Sequence, residues 1–256
     1  METQTTEERS FFVGIEPARI SFVQEQLRSG KLWGLAISGK LASGKDTVAA
    51  LVMEELGADR REHLSWATPL KDELDELLDV IRAQTTPDDA VSSLLSRNIN
   101  LVHAQRLVLE LWNEAQQGVQ ARSRTPRMRW GLQYLGTDVR RAEDPDYWVR
   151  RGVANCIEAV EDGRSVYFSD CRLPNEVEAA RALGLYVVRL EITAEEQERR
   201  LRGRDGLSFD NGAITHPSET ALDGYPGFDL VVDNNGPAAE AVAIITTAAR
   251  ARRNRF

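Results

Sequence analysis

Cysteine is nearly missing from this chain, with Cys156 and Cys171 the only two in 256 residues. Both stand among apolar neighbours, and no C-x-x-C spacing or further cluster of ligands accompanies them. That excludes a disulfide framework and a thiolate metal site, and leaves two reduced, structural thiols of the kind a cytoplasmic protein carries. Long apolar runs are missing as well. Nothing behind the polar, acidic stretch 1–10 reads as a signal sequence, and no segment reaches the length of a membrane span, so no membrane partner is expected. A basic excess is the third absence. With 32 Lys and Arg against 40 Asp and Glu, the net charge is -8, which argues against stable nucleic-acid binding as the protein's main business. A small anion is easier to reconcile, since a local basic pocket suffices for it.

What the chain does have is concentrated in LWGLAISGKLASGKDTVAALVMEEL, Leu32 to Leu56, where a short apolar run breaks at two glycines into a helical pattern. The order is strand, phosphate-binding loop, helix. GKLASGKDT, Gly39 to Thr47, supplies the G-x-x-x-x-G-K spacing of a P-loop. Its glycines let successive backbone N–H groups converge on phosphate oxygens, and a side chain at Gly44 would obstruct that approach. Lys45 adds a point charge, and the helix after it offers free N–H groups and the positive end of its dipole. One position departs from the usual pattern. The Ser or Thr that ligates magnesium is replaced by Asp46, with Thr47 next, so a carboxylate or the displaced hydroxyl must serve the metal or its waters.

The remaining chain alternates strand and helix. Residues 1–30 form an extension with a short amphipathic helix over Pro17 to Leu27. His63 to Thr68 reads as a second strand, and Pro69 opens the next helix and sets Lys71 in its first turn. SSLLSRNINLVHAQRLVLELWNEAQ reads as one helix of an inserted segment. Arginines then interleave with Trp130, Gln133 and Tyr134 up to Arg140 and Arg141, a pattern that suits a phosphate and a base but equally a salt-bridged helix surface. Trp148 to Val160 is helical, and Ser165 to Asp170 is an apolar strand ending in an acid, the local form of a Walker B segment, so Asp170 is a candidate to hold magnesium through water. Leu185 to Ile192 is a strand, and TAEE at Thr193 to Glu196 is a capping box. The helix it opens carries Arg199, Arg200, Arg202 and Arg204, of which Arg200 and Arg204 share a face. A polar loop follows, as in a lid that closes on phosphates. FDLVVDN is the last strand, before a C-terminal helix, and five strands separated by helices predict an α/β fold with a parallel sheet wrapped on both faces.

GKLASGKDT, WATPLK, LQYLGTD with Arg140 and Arg141, Asp146 and Trp148, SDCRLPNEVE, HPSE and VVDNNG occur in this order between residues 32 and 236. The ordered set resembles the bacteriophage-type deoxynucleoside monophosphate kinases of the P-loop superfamily. The resemblance implies a three-layer P-loop kinase fold over 31–256, with a helical substrate-binding insertion at about 85–145 and a lid at about 200–218. It further implies transfer of the γ-phosphate of ATP, with Mg2+, to a deoxynucleoside monophosphate. Gly39, Lys40, Ala42, Ser43, Gly44, Lys45, Asp46 and Thr47 would hold the donor, and Asp46, Thr47 and Asp170 the metal. Lys45, Asp170, Arg200 and Arg204 would stabilise the transfer. Lys71, Arg127, Gln133, Arg140, Arg141, Trp148, Arg172, Glu176, Ser218 and Glu219 would serve the acceptor. No general base stands out, and none is needed when the acceptor is already a phosphate oxygen. The implied setting is the cytoplasm, of the host if the protein is phage-encoded, with a homodimer left open. Two alternatives stand beside this reading: a P-loop kinase with another acceptor (a modified base in DNA, dephospho-coenzyme A or phosphomevalonate), and an ATP-binding module without catalysis.

Overall fold

The computed structural model describes residues 10–123, 125–203 and 217–254, with nothing stated for the side chains of Pro217 and Ser218. The chain divides into two compact units, one formed by Met1–Trp66 with Val149–Phe256 and the other by Ala67–Trp148. The first unit is α/β. Its strands are β1 (Gly34–Gly39), β2 (Arg61–Leu64), β3 (Ser165–Cys171), β4 (Tyr186–Glu191) and β5 (Leu230–Asp233). They form one all-parallel sheet in the order β2-β3-β1-β4-β5.

Alternation along the central strands builds the layers. Ala36, Val166, Phe168 and Val187 face one core, shared with Val149, Val153 and Ile157 of one helix and Val177, Ala180 and Leu183 of another. Leu35, Ile37, Tyr167, Val188 and Leu190 face the other, shared with Val48, Val52, Ala241 and Ile245. Strands covered on both faces read as nearly unbroken apolar runs, which is why β1, β3 and β4 are legible. The edge strands β2 and β5 are exposed at alternate positions. Because all strands run the same way, their carboxyl ends share one edge, where ligands of open α/β sheets gather. Both cysteines are free and buried, and burial pushes the Cys156 thiol up to about 12.

The helices of this unit are α1 (Pro17–Arg28) and α2 (Lys45–Glu55), and beyond the second unit α7 (Tyr147–Glu161), which begins in that unit, α8 (Pro174–Leu183), α9 (Ala194–Arg202), α10 (Pro217–Thr220) and α11 (Ala238–Arg253). Two expectations needed adjustment. The second strand ends at Leu64, ahead of the Ser65–Trp66 corner, because Ser65 and the Trp66 backbone are turned to hydrogen-bond Asp170. The stretch read as one inserted helix is two, α4 (Pro87–Leu95) and α5 (Leu101–Gln116). Asn98 takes a left-handed φ of 56° and Asn100 caps α5 by accepting from the His103 N–H at 3.0 Å, two preferences that asparagine satisfies better than a helix interior.

The second unit is helical: α3 (Thr68–Arg82), α4, α5 and α6 (Pro126–Gln133), the last running directly into a π-helical stretch at Tyr134–Arg141. Leu74, Leu78, Ile81, Leu94, Leu107, Leu111 and Trp148 form its core. Gly136 in the π stretch packs so closely that a Cβ there would stand 3.0 Å from Leu70 Cδ2, and its carbonyl accepts from Trp148 Nε1 at 3.1 Å.

Candidate functional site

The carboxyl end of β1 runs into a loop whose shape is dictated by contacts that admit no side chain. A Cβ on Gly39 would lie 2.4 Å from Ser43 Oγ, so the loop folds straight back over the strand end. Ala42 and Gly44 take φ of 62° and 83°. The first costs energy for a residue with a Cβ, and the second is ordinary only for glycine. At Gly44 a Cβ would also stand 3.1 Å from Asn234 Nδ2. Gly44 precedes α2 and makes no side-chain capping bond, so the first-turn N–H groups and the dipole's positive end are offered to whatever lies in the loop's concavity. That combination is the backbone arrangement to which an anion is attracted.

The loop is braced by neighbours. Asn234 Nδ2 donates to Ser43 O at 2.7 Å, Gln197 Nε2 to Leu41 O at 2.9 Å, and Arg200 Nη1 to Ser43 O at 3.3 Å. Leu41 N–H donates to Glu219 Oε2 at 2.7 Å, and Arg172 Nη1 donates to the other oxygen of the same carboxylate. Lys40 pairs with Asp223 at 3.0 Å, and Asp223 also receives Arg189 Nη2 at 3.1 Å.

Charge in the loop is poised. Lys45 is only 8% exposed, and burial, reinforced by the charge of Arg172, lowers its pKa; Asp46, Glu219 and Asp170 oppose the shift. A desolvated ammonium in that state regains stability when an anion arrives. Asp170 accepts from Ser65 Oγ at 2.5 Å and from Trp66 N–H at 3.1 Å, and Asp46 accepts from Ser169 Oγ at 2.7 Å. Asp46 and Thr47 are exposed in the first turn of α2. No group of three His, Cys, Asp or Glu side chains capable of holding a metal occurs among the described residues. The oxygen donors that are present, two carboxylates and a threonine hydroxyl, fit magnesium, which takes one or two carboxylates and completes its shell with waters and phosphates.

Not every residue singled out in the sequence converges on the loop. Gly39, Lys40, Ala42, Ser43, Gly44, Lys45, Asp46 and Thr47 form or flank it, and Arg172 and Glu219 join it through the Leu41 N–H. Arg200 reaches it from behind, bonded to Glu196 Oε1 at 2.6 Å and to the carbonyls of Ala42, Ser43, Asn234 and Gly236. Glu176 is turned to its own helix, accepting the N–H groups of Arg172 and Leu173 at 2.7 and 3.1 Å as a cap for α8. Arg204 lies outside the described residues, and Ser218 is described in its backbone alone.

Lys71, Arg127, Gln133, Arg140, Arg141 and Trp148 belong to the helical unit. Arg140 is buried there, with Nε on Glu73 Oε1 at 2.7 Å and Nη1 on the Asn98 carbonyl at 3.1 Å. Arg127 spans Glu110 and Glu114 at 3.4 and 3.2 Å. Trp148 is a core residue, whereas Gln133 is exposed and Lys71 and Arg141 are half-buried. Sequence reasoning passed over the side chains of Asn234, Gln197, Ser65 and Ser169. VVDNNG contains the first of these, and only its asparagine pair after a strand hinted at a backbone brace. The other three carry no local signal.

No family profile matches the chain. A comparison with curated proteins finds a protein of Acanthamoeba polyphaga mimivirus, named "Putative deoxynucleotide monophosphate kinase", that is 26% identical over 227 residues, covering 78% of this chain and 88% of the viral protein.

Proposed function

We propose that this protein is a deoxynucleoside monophosphate kinase that transfers the γ-phosphate of ATP to a dNMP, with Mg2+, giving dNDP and ADP. The observation that carries the reading is the glycine-shaped loop at the sheet's carboxyl edge, with the buried, pKa-lowered Lys45 at the start of α2. The name of the viral relative supports the substrate class.

Phosphoryl transfer passes through a loose transition state with negative charge spread over equatorial oxygens, so the protein's work is positioning and charge stabilisation. The loop amides and the first turn of α2 hold the donor phosphates. Lys45 neutralises charge that grows on the transferring group, in a site where burial strengthens every such contact. Arg172 is the second cation beside it; its Nη1 is held by Glu219, and its other N–H groups are the ones a phosphate would use. Asp46, Thr47 and Asp170 would hold magnesium, which would supply charge neutralisation at the donor phosphates. Arg200 keeps the loop's carbonyls pinned so that its amides stay aimed inward. The acceptor's contacts are assigned to Lys71, Gln133 and Arg141. The acceptor attacks through an oxygen that is already ionised, so no base takes up a proton.

The test is a coupled ADP assay with Mg-ATP over the common ribo- and deoxynucleoside monophosphates. ADP formation that depends on a dNMP supports the reading. Silence across the panel, with ATP still bound, moves the assignment to another acceptor or to an ATP-binding module.

A further inference from the structure

Asp46 stands where a neutral hydroxyl would hold magnesium in the usual loop, and the structure surrounds it with a hydrogen-bond chain that neither the motif nor the viral relative's name accounts for. Ser169 Oγ, on the central strand β3 and 2% exposed, donates to Asp46 Oδ1 at 2.7 Å. A hydroxyl has one proton, and this bond uses it. His63 Nε2 lies 2.8 Å from the same Oγ, so it is the donor in that pair, and the Nε2–H form is selected. The imidazole is held in plane by stacking on Tyr167, with centroids 4.6 Å apart and rings 6° from parallel. The donors run one way: His63 to Ser169 to Asp46. Asp46 Oδ2 has no hydrogen bond among the described residues, and the residue is exposed.

We propose that His63 and Ser169 are positioning residues that fix the Asp46 carboxylate for magnesium, the ion that accompanies the nucleotide. A carboxylate in the first turn of a helix is free to rotate about two bonds and adds a full negative charge beside phosphates. Both properties disfavour a nucleotide site unless the group is locked and committed to a cation. Donation to Oδ1 does both, since it selects one rotamer and leaves Oδ2 for the metal or its water, as outer hydrogen bonds do for ligating carboxylates elsewhere. Tying the anchor to β3, next to Asp170, holds the two candidate carboxylates to a single strand end. The chain works by donation from the His63 Nε2–H. This inference rests on the proposed reading only in taking Asp46 as the metal-side group.

The experiment measures ATP binding by calorimetry with and without Mg2+ on the full chain and on His63→Phe, His63→Gln and Ser169→Ala. Phenylalanine keeps the ring against Tyr167 and removes the donor, while glutamine restores an N–H. The expected result is that magnesium tightens ATP binding in the parent, that His63→Phe and Ser169→Ala lose about tenfold of that tightening, that His63→Gln keeps most of it, and that metal-free affinity is the same in all four. Equal tightening in parent and His63→Phe overturns the proposal, as do equal losses in Phe and Gln, a metal-free affinity that falls in step, or no magnesium effect in the parent. Phosphoryl transfer is scored separately. The expected pattern without ADP from any acceptor leaves the relay standing and the kinase reading fallen, and normal transfer with unaltered magnesium linkage does the reverse.

Discussion

Two arginines of the α/β unit are used differently from those of the helical unit, although others in the α/β unit, Arg19, Arg164 and Arg202 among them, also pair with nearby acids. In the helical unit arginines are spent on acids of neighbouring helices: Arg140 on Glu73, Arg122 on Asp72 and Asp75, Arg127 on Glu110 and Glu114. In the α/β unit, Arg200 and Arg172 sit against the loop, one on its carbonyls and one on a carboxylate that its amide also holds. An arginine-rich stretch is therefore a weak pointer to an anion site. Helix surfaces need the same residues to tie themselves together. A backbone turned into a cradle by Gly39 and Gly44 has no such second use.

The largest expected effect breaks the helical side of this contrast. Glu73→Ala leaves the buried Arg140 guanidinium without its carboxylate and removes an acceptor from Tyr147 Oη. It is expected to cost about 3–5 kcal/mol in denaturant unfolding, while replacing both members with Leu and Met recovers most of the loss. A mild effect of the single change would mean that Arg140 is not held there as a structural ion.

Next comes Lys45→Ala in the loop. The mutant is expected to fold, because the side chain points toward the anion site and carries a desolvation cost in the free protein, and turnover is expected to drop by about a hundredfold or more. Near-parent turnover in a folded mutant would remove the lysine from the mechanism.

The smallest effect sharpens the comparison within one helix. The Arg200 side chain is 21% exposed and bonded to the loop's carbonyls, whereas that of Arg202 is 75% exposed and bridges Glu198. Arg200→Ala is expected to weaken ATP binding and turnover by about tenfold through the loosened loop, and Arg202→Ala by less than about twofold, as for a solvated pair. Equal small losses would show that the brace behind the loop is dispensable.

The five strands, their parallel arrangement and the loop were legible in the sequence, because each is a local pattern: strand-length runs with helices between them, apolar throughout in the three central strands, and two glycines spaced as in a phosphate-binding loop. The capping box read at Thr193–Glu196 is half formed: Thr193 accepts from the Glu196 N–H at 3.2 Å, but its own N–H donates to Asn235 and the Glu196 carboxylate is taken by Arg199 and Arg200. The break between α4 and α5 was missed although its cause is local, since the apolar spacing on either side of Asn98 and Asn100 continues one helical period. Tertiary structure alone decided which charges meet which. His63 and Ser169 are 106 residues apart, and Asn234 lies 191 from the Ser43 carbonyl it holds. Strand order brings such pairs together at one edge of the sheet, and a hydrogen bond between side chains on different strands leaves no spacing in the chain from which it could be read.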